Sequence, residues 1–426
     1  MLSIYVDNIT PRCKYTFDFF FANNNIKYQL ISCKEDFSKI NSSKFNYSEH
    51  SFQDCIQITS SSLLFESDIY VKNIECGKFE NEDCLSFNKI TDPFATVFYI
   101  LSRMEEYDIN KSKDVHDRFQ ATYSVNYRFN FLDKLICDRL VKAVISFLHN
   151  ENVLDREFQK KELKLIPTFD IDNAFAYSHK TMTRQILAIC KDLASLNFTR
   201  VKERYLTLIK NQPDPFDTFG TIVNISKNYT VNVFWLLGNR SKYDRNLRHN
   251  NKFQSNLIKT INKTCVVGIH PSYVSNSDIK IAQVEIHRLE NIINRPVTNS
   301  RQHFLKLSLP HTYQNLINCG IKNDYSMGYA DKIGFRAGTL TPYYWFDLSN
   351  NCITDLLIHP FAYMDGTLKD YCQFDIETSK KEIQKLYEEA KQFGGEFIFI
   401  WHNDTIGNYK NWKGWKQVLE YTLNLK

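Results

Sequence analysis

A chain of 426 residues is too long for one ordinary hydrophobic core and points to two or three domains. It is 43% hydrophobic and 24% charged, the balance of a soluble globular protein, and 14% aromatic, with 32 Phe and 24 Tyr. The net charge is only +5 and the basic residues are scattered along the sequence, which excludes a nucleic-acid footprint.

The 11 cysteines are odd in number and irregular in spacing, and no C-x-x-C occurs. That pattern argues against a disulfide framework or a zinc ribbon, and for free thiols in a reducing compartment. The N-terminus has Asp7 within M-L-S-I-Y-V-D and no signal-like apolar core, and the patch Phe17 to Ala22 is too short to span a bilayer. The expected location is the cytoplasm, with no transmembrane segment.

Residues 1–155 read as a first, smaller α+β domain. Short β-rich runs at Leu2–Val6, Tyr28–Ser32, Ile56–Ile58 and Ile69–Val71 are divided by polar turns. Asp92 to Tyr107 predicts a helix, with Asp92 as N-cap and Pro93 in the first position. Arg103, Glu105 and Glu106 fall at its solvated or ion-paired end. His116, between Asp114 and Asp117, reads as part of a hydrogen-bonded loop rather than a metal ligand. Leu132–Leu148 predicts a second amphipathic helix, and a polar stretch leads to the next domain, taken as 160–426.

From Leu163 apolar runs recur between helical stretches: Leu163–Phe169, Asn232–Leu237, Cys265–Ile269 and Glu396–Trp401. This alternation predicts an α/β domain with a mainly parallel, barrel-like sheet, whose functional residues gather at the C-terminal strand ends. Three of the four runs end in T-F-D-I-D, G-I-H-P-S-Y and W-H-N-D. In the first, Asp170 and Asp172 stand two apart, so both point to one face of a strand. One carboxylate on a metal and one moving a proton would use that geometry. Asp214–Phe219 reads as a turn into a helix at Asp217, and Tyr243, Asp244 and Asn246 lie in a polar loop after the second run.

In their order, these segments resemble the NodB-homology polysaccharide deacetylases, carbohydrate esterase family 4, over roughly the last 60% of the chain. The resemblance implies a distorted (β/α) barrel. The T-F-D-D-G motif of the family becomes T-F-D-I-D, which gives Asp170 the role of catalytic base and Asp172 that of metal ligand. The H-x-x-x-H motif keeps its first ligand at His270, with Tyr273 beside it on the substrate side, but Val274 stands where the second histidine belongs. In S-R-Q-H-F-L, Arg301 matches the arginine that orients the base, and the nearby His303 is the candidate for the missing ligand. Asp324 falls in a strand that carries an acid toward the site. Arg336, in G-F-R-A-G-T, competes with Arg301 or binds substrate or pairs with Asp324. His359 and Asp365, around L-L-I-H-P-F-A-Y-M-D, are further candidates. F-I-F-I-W-H-N-D matches the last motif and makes His402 the general acid, with Trp401 beside the substrate.

The implied reaction is hydrolysis of an N-acetyl or O-acetyl group on a sugar of a polysaccharide or its precursor. It would use a divalent ion, zinc first, with cobalt, nickel or manganese as alternatives. The rival reading is a non-catalytic carbohydrate-binding or assembly protein that kept the pocket and lost a ligand, with Val274 as its best support.

Overall fold

In the computed structural model, which describes residues 1–70, 73–108 and 113–425, the N-terminal apolar run becomes β1 (Leu2–Val6). It is flanked in parallel by β2 (Tyr28–Ile31) and β3 (Lys44–Tyr47). Between β1 and β2, Pro11 opens the helix Pro11–Phe20, capped by Thr10, whose hydroxyl accepts from the Cys13 N–H. β4 (Ile74–Phe79), β5 (Glu82–Phe87) and β6 (Ile90–Thr91) form an antiparallel meander. Two expected strands are corrected. Ile56–Ile58 contributes only an isolated bridge from Gln57 to Asn46. Ile69 and Tyr70 are irregular, and Val71 lies outside the described residues.

Asp92 caps its helix by accepting from the Ala95 N–H, and Pro93 begins it, as predicted. The helix ends at Leu101 instead of Tyr107. Arg103 is left-handed (φ 54°), and Met104–Tyr107 follows as a 3-10 turn. Arg103 is fully buried, so this helix end is ion-paired but not solvated. The second helix runs from Ile136 to Asn150.

The large sheet begins with β7 (Leu163–Ile171), β8 (Asn232–Trp235), β9 (Val266–Ile269), β10 (Asn299–Ser300) and β11 (Asn323–Asp324). It is completed by β12 (Tyr343–Asp347), β13 (Cys352–Ile358), β14 (Phe361–Met364) and β15 (Gly395–His402). The order is β12-β13-β11-β10-β9-β8-β7-β15-β14, and only β12 runs antiparallel to its neighbour. The sheet curls as a half-barrel with β12 and β14 at its edges, which is how the expected distorted barrel is realised. The helix 376–393 turns into β15 through Gly394 (φ 79°), where a Cβ would lie 1.9 Å from the Lys161 carbonyl oxygen. Only glycine fits there.

Alternation along β15 separates two cores. Phe397, Phe399 and Trp401 enter a large cluster that runs from Leu2 to Leu419. Ile398 and Ile400 enter a smaller one with Ile166, Phe234 and Phe361 on the inner face. The large cluster does not stop at residue 155. Phe98 packs edge-on against Phe346, the Tyr15 hydroxyl donates to the Tyr344 carbonyl, and Cys137 N–H donates to Gly338 O. A buried aromatic of this kind contributes on the order of 2–3 kcal/mol.

Candidate active site

The inner face sets the site. Residues 166, 168 and 170 of β7 share it, and the register places Asp170 opposite His402 of β15. The parallel strands end together, so the residues just past β9 and β10, His270 and Arg301, reach the same point. Gly268 in β9 permits this closeness, because a Cβ there would lie 2.7 Å from the Asn299 carbonyl oxygen and 2.8 Å from the Phe234 ring.

Asp170 is buried and accepts from Arg301 Nη1 at 2.9 Å. Arg301 is wholly buried. It also donates from Nη1 to Thr168 Oγ1 (2.7 Å) and from Nε to the Tyr325 carbonyl (2.9 Å), and its guanidinium lies 4.5 Å over the Phe234 ring. Its Nη2 has no hydrogen-bond partner.

Asp172, one residue past β7, faces two imidazoles. Its Oδ1 lies 3.3 Å from His270 Nε2 and its Oδ2 3.5 Å from His303 Nε2. One ligand atom from each of the three residues lies within 4.8 Å of the others. Both histidines are oriented from behind. His270 Nδ1 donates to the Arg301 carbonyl (2.6 Å), and His303 Nδ1 donates to Asp244 Oδ1 (2.9 Å). Each Nε2 is thereby turned toward Asp172, the orientation found in metal sites, where a backbone carbonyl or carboxylate holds the other ring nitrogen. Asp172 Oδ1 is shut off from solvent and has no hydrogen bond, although the side chain as a whole is 41% exposed. Donor atoms on a tetrahedral zinc stand about 3.4 Å apart. The donor set and the orphaned oxygen fit a divalent ion.

The charges respond to one another. Burial opposes ionisation of Asp172, but the His303 charge and the two histidine contacts hold its carboxyl well below the usual range. Burial likewise works against a charged His303, and Asp172 and Asp244 override it, raising its pKa to about 9. A cation at this point would take the place of that proton.

On the other side, His402 Nδ1 donates to Asp365 Oδ1 at 2.9 Å, and its backbone N–H donates to Asp365 Oδ2 at 2.9 Å. Asp365 also accepts from Thr405 Oγ1 (2.6 Å) and is fully buried. It directly follows β14, the neighbour of β15, which explains the pairing. Burial would lower the His402 pKa, but Asp365 foremost, with Asp172 and Asp170, raises it well above the usual imidazole value. A cleft of about 160 Å³ joins Asp170, Asp172, His270, His303 and His402, and is walled by Arg118, Phe304, Met364 and Tyr371.

The remaining candidates fall elsewhere. Tyr273 sits on the rim, its ring 5.4 Å from that of Phe304. Asp324 is fully buried and accepts from Ser300 Oγ, Ser326 Oγ and Ser326 N–H, so it braces strand ends beneath the site. Arg336 does not pair with Asp324. It is spent on Glu106 (2.6 Å) and the Gly328 carbonyl. Trp401 is adjacent to His402 in a strand, so it points to the opposite face and lies in the large core. His359 is held by Glu396 and Asn323 and stacked on Tyr325. Asp114 accepts from His116 N–H and Arg118, the hydrogen-bonded loop that was read there. Val274 is 38% exposed and does not line the cleft. Asp244 reads from sequence as a loop residue that could contact substrate, but it is buried behind His303.

Comparison with known proteins gives three findings. Residues 2–153 match a family of unknown function, DUF7033. No curated protein matches the chain. Among solved structures, the chain is similar to a protein from Mycobacterium smegmatis assigned as a polysaccharide deacetylase, with 14% identity, TM-score 0.37, and coverage of 62% of this chain and 86% of that one. It is also similar to a polysaccharide deacetylase from Bacillus cereus, with 11% identity, TM-score 0.29 and the same coverage.

Proposed function

We propose that this protein is a metal-dependent hydrolase that removes an acetyl group, N-linked in the primary reading, from a sugar of a polysaccharide or its precursor. The observation that carries the reading is the division of one small cleft. An Asp/His/His donor set lies on one side, and an arginine-held carboxylate and a carboxylate-held histidine flank it. The order of the sequence motifs supports the same reading.

In this proposal Asp172, His270 and His303 hold the ion, zinc first, and His303 takes the part of the histidine replaced by Val274. When bound, a divalent ion supplies Lewis-acid polarisation of a carbonyl and acidifies water. Asp170 takes the proton of the attacking water, kept ionised by Arg301 at 2.9 Å. Water oxygen bonds to the acetyl carbon, the C–N bond breaks, and protonated His402 gives its Nε2 proton to the leaving nitrogen. Asp365 fixes Nδ1–H on the far side, so Nε2 is the nitrogen left for the cleft. Tyr273 is a substrate contact at the rim. Residues 160–426 are the catalytic domain in this scheme, and 1–155 a domain that buttresses it. The eleven free cysteines fit the cytoplasm, where a carrier-linked precursor is a more accessible substrate than a finished wall polymer.

The test is acetate release from N-acetylated oligosaccharides with added Zn²⁺, together with metal analysis of the purified protein. Near-stoichiometric metal that is lost in His270→Ala, with acetate release lost in Asp170→Asn, is the expected result. A metal-free protein that releases no acetate favours the non-catalytic carbohydrate-binding alternative, for which exposed Val274 is the motivating feature.

A further inference from the structure

Between β7 and β8 the chain makes a helical hairpin, Met182–Ala194 followed by Phe198–Leu208, whose amphipathicity is inverted. Its buried residues are polar. Gln185, Asp192 and Arg204 form a seam in which Arg204 donates to Gln185 Oε1 (2.5 Å) and to Asp192 Oδ2 (3.1 Å), while Gln185 donates to the Tyr177 carbonyl. Its large apolar residues point outward. Met182 is 75% exposed, Leu187 71%, Leu196 74%, Phe198 63% and Ile209 63%. The described residues of the hairpin contribute nothing to the hydrophobic core. An apolar face this continuous on a soluble chain marks a surface made to be covered.

The charge around it is net positive. Residues 180–210 hold seven Lys or Arg and two acids, a local +5 equal to that of the whole chain. The basic residues are therefore not evenly scattered, and folding adds Arg240, Arg245 and Arg248 to this stretch. Beside the hairpin lies a cleft of about 860 Å³, walled by Lys180, Arg184, Lys191, Arg240, Arg245 and Arg248, with Asp192 as its one acidic wall residue. Burial foremost, then the neighbouring Arg184, lowers the Lys180 pKa to about 7.

We infer that this hairpin docks the protein on the surface of an anionic phospholipid bilayer, with its apolar face in the headgroup boundary and its basic rim and cleft on lipid phosphates. A second copy of this chain is the poorer occupant, because a two-fold contact would place like charge on like charge. No helix among the described residues is long and apolar enough to cross a membrane, so the attachment is to one face. Asn173, the chain neighbour of Asp172, lines the basic cleft.

The test is co-sedimentation of the full-length protein with vesicles of phosphatidylcholine alone and of phosphatidylcholine with phosphatidylglycerol. Binding is expected only with phosphatidylglycerol and falls as salt rises. Lys191→Gln with Lys202→Gln lowers the partition coefficient by about tenfold or more. Leu187→Gln with Leu196→Asn abolishes binding while circular dichroism is unchanged. Asn suits the left-handed backbone at 196 (φ 53°). No binding to phosphatidylglycerol vesicles, equal binding to pure phosphatidylcholine, or a lipid-free dimer dissolved by the Leu187/Leu196 variant overturns the inference. None of these readouts depends on deacetylase activity.

Discussion

Two clusters of buried charge in this fold behave differently. In the first, Arg103 donates to Glu105 and Glu106 at 2.7 Å each, Glu106 accepts from Arg336 at 2.6 Å, and Arg103 Nη1 reaches the Arg336 carbonyl at 2.6 Å. Glu105 Oε2 accepts from the Val125 N–H, and Arg336 Nη1 donates to Gly328 O. Every guanidinium nitrogen and carboxylate oxygen is served, and two cations balance two anions. In the second, four carboxylates (Asp170, Asp172, Asp244, Asp365) meet Arg301 and three histidines. Asp172 Oδ1 and Arg301 Nη2 have no hydrogen-bond partner, and the group opens on a cleft. The contrast separates a joint from a site. A network whose printed polar atoms are all hydrogen-bonded fastens residues 103–106 to the segment around Arg336, whereas unsatisfied atoms in a cleft are left for something that binds.

Mutation sharpens that contrast. Asp170→Asn is expected to lower acetate release by up to about 10⁴-fold. The variant stays folded, because Asn keeps an acceptor for Arg301, and steady-state kinetics with thermal unfolding separates the two effects. Arg103→Met leaves Glu105 and Glu106 short of their buried partner and costs about 3–5 kcal/mol of stability by urea denaturation. Its folded fraction keeps normal specific activity. If Arg103→Met instead spared stability and abolished turnover, the two clusters would have to exchange roles.

Asp244→Asn weakens the carboxylate behind His303 and is expected to reduce metal affinity by about 10–100-fold in competition with a chelator. His359→Ala leaves that affinity unchanged, since His359 is already tied to Glu396 and Asn323.

The pH profile tests the other flank. His402 has a raised pKa and acts protonated, so kcat/KM is sustained below that pKa and falls as pH rises through it. Asp365→Asn removes the chief raising charge and moves the alkaline limb down in pH. A limb that does not move would take His402 out of the acid role.

The smallest effect lies outside both clusters. Burial raises the Asp138 carboxyl to about 6 from its ordinary 3.8. Between those values the folded chain holds a proton that the unfolded chain releases, so stability falls as pH rises through the window. Asp138→Asn abolishes that fall, about 1–3 kcal/mol across the window, measured as denaturation midpoints on either side.

The sequence was most legible where periodicity and strand ends coincide. The four apolar runs from Leu163 onward became β7, β8, β9 and β15, and T-F-D-I-D, G-I-H and W-H-N-D meet in one cleft. Asp365 and Asp244 were harder to assign. Each supports a histidine from another strand, and the pairing depends on which strands are neighbours, which no local pattern encodes. Trp401 misled for the opposite reason. Adjacency in sequence to His402 puts it on the other side of the pleat. Arg336 reads from sequence as a rival of Arg301, a substrate contact or a partner of Asp324, and it pairs instead with Glu106, 230 positions away.

The large core running unbroken from Leu2 to Leu419 has a consequence for engineering. A catalytic half with its own core can be cut loose, fused or shuffled as a cassette. Here Gly334 and Gly338 pack against Leu132 and Ile136 so closely that a Cβ would collide, and the Leu135 N–H and Arg139 are anchored on Glu389. Deleting the first 155 residues would strip apolar surface from the sheet that carries the site. The sheet that carries the site and the first stretch therefore share one hydrophobic core.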